Sequence, residues 1–340
     1  MIQSLHVQNF RKHSDFTINF NKNITIITGE NGSGKTSLIE AIYIGLVGKS
    51  WRSNFNEITR RGCEWWRVDI IDDNQDKRTI KFQNNQKEFN INKQKFSRLP
   101  QKNRKDVILF EPQDLNLLYG SPARRRDFID GFITNLDYKY SKTLSRYNRV
   151  LRQRNNLLKN NVGQDELFVW DVQFADLAAE IIETRQRFIS IINKLITDEY
   201  QKIAGNKDKM EIKYNYGSPS KIPNRQKILN TLHNNYQIEI LHGYSSVGPH
   251  QHDLEFILNN KPAAETASRG ENRTIILALK NIEYQLKKDT SPLILLDDIL
   301  SEFDEKHQKN LLKNFENAQI IITGVKSLKI TKKLAILDIV

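Results

Sequence analysis

Cysteine is nearly absent: Cys63 stands alone among 340 residues. That excludes an internal disulfide and suits a reducing compartment. No apolar run approaches the ~20 residues that a membrane span needs, and Met1-Ile2-Gln3-Ser4-Leu5-His6 shows no basic segment followed by an apolar one. The expectation is therefore a cytoplasmic protein with no membrane partner. Acidic residues are in deficit. Forty Asp and Glu stand against 52 Lys and Arg, a formal net charge of +12, with a pI near 9.5. Such a surplus favours a polyanionic partner, nucleic acid or an anionic membrane surface, although a lysine-rich proteome would produce it too. No internal repeat stands out. The remaining composition, 38% apolar and 27% charged, is that of an ordinary soluble protein, and the length allows about two domains of ~100–200 residues.

The most informative stretch is Gly29-Glu30-Asn31-Gly32-Ser33-Gly34-Lys35-Thr36, with Ser37 next. It follows the apolar run Ile24-Thr25-Ile26-Ile27 and precedes the amphipathic Leu38-Ile39-Glu40-Ala41-Ile42. A β-branched strand, a glycine loop and a helix in that order form a phosphate cradle. The glycines let backbone N–H groups turn inward, and the new helix adds the positive end of its dipole. Lys35 is then expected at the β- and γ-phosphates of a nucleotide and the Thr36 hydroxyl on Mg²⁺.

Two stretches before the cradle, residues 5–10 and 16–20, alternate with period two, as do 65–71, 78–83 and 88–92. They predict an antiparallel layer. Residues 107–110 predict a buried strand, ended by Glu111-Pro112-Gln113-Asp114. From Pro122 to about Gly205 the spacing turns helical and Gly and Pro nearly vanish, predicting a separate helical lobe. Residues 165–204 read as one or two helices with no long rod, 210–216 as a strand, and 217–225 as a loop. Residues 121–160 hold ten Lys or Arg against three Asp, a surplus of seven. Leu144, Tyr147, Leu151 and Leu158 are expected on one helical face and Lys142, Arg146 and Arg149 on the other. With Arg124, Arg125 and Arg126 these cations are the candidate phosphate-backbone contacts, against the plainer reading of a solvated charged face.

Near the other end, Pro292-Leu293-Ile294-Leu295-Leu296 leads into Asp297-Asp298. A strand apolar at every position is buried on both faces of a parallel sheet, and its carboxyl end delivers both acids where ligands bind. Asp297 is the expected Mg²⁺ ligand shared with Thr36; Asp298 is the expected catalytic acid, orienting the attacking water, with Lys35 as its catalytic partner. Upstream, Ser268-Arg269-Gly270-Glu271 opens a helical stripe of Ile275, Leu279, Ile282 and Leu286. Ser268 and Glu271 form a capping box, and the same turn can offer a hydroxyl and N–H groups to an anion.

Cradle, long insertion, Ser-x-Gly-Glu helix start and apolar-Asp-Asp strand, in that order, resemble the SMC-like ABC-type ATPases. Within them the chain resembles the RecF family over essentially its whole length. The matching blocks are Asn9-Phe10-Arg11, Leu38-Ile39-Glu40-Ala41 after the cradle, Lys49-Ser50-Trp51-Arg52, Phe110 to Leu115, Gly120 to Asp130 and Gly248-Pro249-His250. The resemblance implies an α/β fold: a P-loop ABC-type ATPase head, with a parallel core sheet and an antiparallel β layer, carrying an inserted α-helical lobe. Lobe I would comprise 1–114 and 245–340, and lobe II 115–244. It implies ATP and Mg²⁺ as cofactors, DNA as a partner, an ATP-dependent homodimer, and work with RecR- and RecO-like mediators in loading a recombinase at gaps. Ser268 and Gly270 would then serve the nucleotide of the second subunit, Gln113 would be a Q-loop ligand, and Ser301-Glu302-Phe303-Asp304 the D-loop. The chain departs from the family at Gln251 and His252, where an arginine and an acid are expected. It departs from the general ABC pattern at Asp298, in place of Glu, and at Thr323, in place of a switch histidine. The shorter Asp298 implies slow, switch-like turnover. The cradle alone would equally suit a small-molecule kinase, and an SMC-like ATPase of a nuclease or defence system is a further alternative.

Overall fold

The computed structural model describes residues 1–217, 224–315, 318–324 and 334–338. Residues 218–223 of the expected loop lie outside them. By internal contacts the chain divides into two units, Met1–Asp114 with Glu283–Val340, and Leu115–Ile282.

In the first unit a fully parallel sheet is ordered β14(Leu334–Asp338), β3(Ile24–Thr28), β13(Ile320–Gly324), β12(Leu293–Asp297) and β8(Val107–Phe110). β12 and β13 are buried at every position, as a parallel sheet covered on both faces requires. The register sets Asp297 opposite Thr323 and Thr323 opposite Ile27. Three strands therefore finish level at one edge. The helix α1(Lys35–Val47) follows β3 and packs Leu38, Ile39, Ala41 and Ile42, none of them exposed, into the core. A six-stranded antiparallel layer in the order β2(His13–Asn19), β1(Ile2–Phe10), β4(Trp65–Asp72), β5(Lys77–Gln83), β6(Gln86–Ile91) and β7(Gln94–Phe96) completes this unit.

The second unit is mainly helical: α2(Pro122–Leu136), α3(Tyr138–Lys159), α4(Gln164–Ala204), α5(Arg225–Asn234) and α6(Tyr236–His242), then α7(Ala263–Thr266) and most of α8(Arg269–Lys287). α4 is one helix of 41 residues, about 60 Å long at 1.5 Å per residue. It is nevertheless packed along its length: Phe174, Ile181, Ile192 and Ile196 are buried. A small sheet β11(Lys261–Pro262), β10(Asp253–Leu258), β9(Met210–Asn215) lies in the same unit. β10 pairs antiparallel with β9, Asp253 opposite Asn215, 38 positions apart in sequence. This pairing draws residues 245–282 into the helical unit, so the second boundary falls inside α8 rather than at residue 244. Among the described residues the last helix of the first unit is α9(Glu305–Asn314).

The buried face of α3 is Tyr140, Thr143, Tyr147, Val150, Arg154 and Leu158, with Leu144 and Leu151 half-buried. It is rotated from the expected face, because Arg154 lies inside.

Candidate nucleotide site

Between β3 and α1 the loop turns on Gly32 and Gly34, whose φ angles are 80° and 103°, values that glycine adopts without strain. A Cβ at Gly34 would also collide with the His13 imidazole. Among the described residues no side chain caps α1, and its first turn carries no acid, which leaves the helix start open to an anion. Lys35 is buried, and its Nζ donates to the Gly29 and Glu30 carbonyls, both at 2.8 Å. Ser33 Oγ is buried with no hydrogen-bond partner among the described residues. Glu30, Asn31 and Gly32 are exposed, whereas Gly29 and Ser37 are buried. The loop has a second support that motif reading missed. Lys12 donates to the Gly32 carbonyl, and His13 Nε2 lies 3.2 Å from the Gly34 oxygen. Burial lowers the His13 pKa; because a carbonyl only accepts, the ring N–H is the donor in this contact. The signal was the two residues after Asn9-Phe10-Arg11.

The second half of the site comes from β12 and β13. Thr36 Oγ1 donates to Asp297 Oδ1 at 2.9 Å, joining residues 261 apart in sequence. Thr323 Oγ1 donates to the same oxygen at 2.8 Å. Burial raises the Asp297 pKa against the lowering effect of these two hydroxyls. A cation beside it would favour the charged carboxylate. Hydroxyl and carboxylate oxygens are the hard donors that Mg²⁺ takes, so Thr36 and Asp297 fit that ion. Asp298 adopts φ 49°, and its Oδ1 is buried with no partner among the described residues.

Behind the cradle, Glu40 of α1 is fully buried. It accepts from Arg11 (Nε and Nη2, each 3.0 Å), from Arg52 (Nε 3.0 Å, Nη2 2.8 Å), and from Ser50 and Ser53 at 2.6 and 3.0 Å. Although burial opposes ionisation, these donors bring its pKa down to about 2. The blocks around Arg11, Glu40 and Arg52 noted in the sequence are thus one cluster. Gln113 lies exposed in a 3₁₀ turn, Pro112–Asn116.

In the helical unit, the expected signature turn is a reciprocal capping box. The Ser268 N–H donates to Glu271 Oε2 at 2.7 Å, and the Glu271 N–H to Ser268 Oγ at 3.2 Å. Ser268 and Gly270 are exposed at the start of α8.

The candidate DNA contacts separate into two groups. Arg125 is bound to Asp253 through two 2.7 Å hydrogen bonds and also donates to the Leu118 and Gly120 carbonyls. Arg126 donates to the His252 carbonyl at 2.8 Å. These two hold β10 and its preceding loop to α2. Arg124 is half-buried. On α3, by contrast, Lys142, Arg146 and Arg149 are exposed, and Lys139, Arg152 and Lys159 extend the same stripe. Steps of three, four and seven residues keep these six cations on one helical face.

The departures at 251 and 252 have a structural setting. His252 is buried between the Tyr214 and Tyr216 rings, with Nδ1 2.9 Å from the Tyr214 hydroxyl. Burial first, then nearby Arg185, lowers its pKa to about 3, so the imidazole is neutral. Gln251 is exposed.

A family model described as an AAA domain matches residues 4–337. A DNA replication and repair protein RecF from Clostridium acetobutylicum is 32% identical over 333 residues, covering 95% of this chain and 92% of the relative. That of Natranaerobius thermophilus is 34% identical over 351 residues, covering 95% and 90%. Among solved structures, the recombination mediator protein RecF-ATP in the RecFOR pathway superposes with a TM-score of 0.86 at 27% identity, covering 97% of this chain and 93% of that one. An Smc head bound to the C-winged helix domain of ScpA has a TM-score of 0.54 at 16% identity, covering 96% and 90%. This second likeness shows the shared ABC-type head fold alone.

Proposed function

The chain belongs to the RecF family of DNA replication and repair proteins, and from that premise we propose that it is an ATP-dependent DNA-binding clamp whose slow hydrolysis of ATP resets it. The observation that carries this reading is the 2.9 Å contact between Thr36 and Asp297, beside an Asp298 Oδ1 that has no partner among the described residues. It joins a phosphate loop to a pair of acids in the order that ATP hydrolysis requires.

In this reading the N–H groups of residues 29–37 receive the phosphates, and Lys35 leaves its two loop carbonyls for the β- and γ-oxygens. Thr36 and Asp297 would hold Mg²⁺, which would supply positive charge to offset that of the phosphates. Asp298 orients the attacking water and accepts its proton. Its carboxylate is one methylene shorter than a glutamate, which supports slow turnover suited to a switch. Ser268 and Gly270, exposed on a helix start, serve the nucleotide of a second copy, so that ATP joins two copies. Gln113 is the proposed Q-loop ligand.

For DNA, the α3 stripe is the better surface. Among the described residues Lys142, Arg146 and Arg149 have no ion-pair partner, whereas Arg125 is tied to Asp253. The α3 stripe runs 20 helical steps from Lys139 to Lys159, about 30 Å at 1.5 Å per residue, long enough to follow several phosphates. RecR- and RecO-like mediators are the proposed protein partners, with the recombinase reached through them, in the cytoplasm.

The test is the solution mass of Asp298→Asn with and without Mg-ATP. Blocked hydrolysis should trap a species of twice the mass, and adding Ser268→Arg should abolish it. A monomer throughout, with ATP bound, refutes the shared-site reading.

A further inference from the structure

The position that holds a switch histidine in the general ABC pattern is Thr323, and its side chain faces inward. Thr323 is fully buried at the end of β13. A hydroxyl has one proton to donate and lone pairs to accept. The proton goes to Asp297 Oδ1 at 2.8 Å; the Leu296 carbonyl, at 3.5 Å, is too distant to compete. A lone pair receives the Asp298 N–H at 2.9 Å. One hydroxyl thus holds a side chain on one residue and the backbone of the next.

That backbone needs holding. Asp298 has φ 49°, a left-handed conformation that few residues other than Gly, Asn and Asp take up, and then singly. On its other side the Ser301 hydroxyl donates to the Asp298 carbonyl at 2.8 Å. Fixed from both sides, Asp298 keeps its Oδ1 buried and without a partner among the described residues. Because Thr is branched at Cβ, few side-chain rotamers are open to it, and the strand register with β12 fixes the distance.

We propose that Thr323 is a positioning residue for hydrolysis: its hydroxyl clasps Asp297 to Asp298, holding the left-handed backbone that aims the Asp298 carboxylate at the attacking water. The proposal rests on the ATPase reading above. Thr323 acts through the two acids and does not touch the nucleotide. Removing the hydroxyl should therefore slow the chemical step while leaving ATP binding in place.

Thr323→Val keeps the shape and deletes the hydroxyl; Thr323→Ser keeps the hydroxyl. Three readouts are taken on the full chain: hydrogen exchange of the peptide containing Asp298 without nucleotide, ATP affinity, and single-turnover hydrolysis. In Thr323→Val the Asp298 amide should lose its protection and ATP affinity should stay within about threefold. Hydrolysis should fall by about 30-fold or more, on the scale lost when an oriented acid or base is displaced. Thr323→Ser should recover most of each loss. Hydrolysis unchanged in Thr323→Val, or as slow in Thr323→Ser as in Thr323→Val, overturns the proposal. Should the wild type fail to bind ATP, the ATPase reading fails, and the exchange measurement still decides whether the clasp exists. Thr323→Ala replaces Thr323→Val in all three assays if the latter does not fold.

Discussion

Each unit contains a fully buried ionic hub, and the two have opposite charge patterns. In the first, a single acid, Glu40, is shared by Arg11 and Arg52, whose side chains are 23% and 31% exposed. In the second, a single base, Arg154, is shared by Asp171 at 2.6 Å and Glu239 at 2.7 Å, with Ser245 at 2.7 Å, and all three ions are nearly or wholly inaccessible. The partners of Glu40 can still turn toward water if it is lost. Those of Arg154 cannot. The pKa shifts follow: cations with access to solvent bring Glu40 down to about 2, whereas burial holds Asp171 above its ordinary value despite its arginine. A buried hub is hardest to disturb where its partners are also buried, because an unpaired charge left inside costs more than the pair returned.

The sharpest way to break the comparison is Arg154→Met, which leaves two acids buried without a cation. A loss of about 3–5 kcal/mol in chemical denaturation is expected for such a site; a loss below that of Glu40→Gln would show that Asp171 and Glu239 reach water.

Acid should separate the units next. His252 has a folded pKa lowered from 6.5 to about 3. The unfolded chain therefore binds its proton first, and the stability His252 contributes, complete above about 6.5, is lost as pH falls toward 3. Glu40, lowered from 4.5 to about 2, contributes stability that is lost only as pH falls from 4.5 toward 2. Asp171 and Asp297, both raised, oppose these trends in their own units. Hydrogen exchange between pH 7 and pH 4 should show the helical unit opening first, by a loss of about 2–3 kcal/mol. Simultaneous opening would remove the distinction.

Glu40→Gln comes third. It retains hydrogen bonding but not the charge, and its partly exposed arginines can find water. A loss of about 1–3 kcal/mol is expected, measured by thermal unfolding.

The smallest effect on stability separates the two kinds of arginine on α3. Arg146→Ala should change stability by less than about 0.5 kcal/mol, as an exposed substitution does. On the proposed DNA face, the same change should reduce the salt dependence of binding by about one phosphate contact. An unchanged salt slope would move the DNA surface elsewhere.

Much of the site was legible because its parts are local. The cradle needs glycines, a lysine and a hydroxyl at fixed offsets, and the strand before Asp297 declares itself by four consecutive apolar residues. The helical lobe showed in its spacing. Less was legible where one residue type serves two ends. Arg125, Arg154 and Arg146 are alike in a charge count, yet one is bound to Asp253, one is buried between two acids, and one is in solvent. The roles of Lys12 and His13 were hidden as well, because their partners are backbone carbonyls of another segment.

The amino-acid order alone determined the phosphate loop, the acid-ended strand, the two-part character of the chain and its basic excess, since each depends on neighbours within a few residues. Tertiary structure decided the rest. Parallel pairing of β12, β13 and β3 brings Thr36, Asp297 and Thr323 together. The β9–β10 pairing draws residues 245–282 into the helical unit, and burial picks out which arginines become structure. The reason is one of range: hydrophobic period and turn chemistry act over a few residues, whereas strand register and desolvation depend on which distant segment arrives alongside.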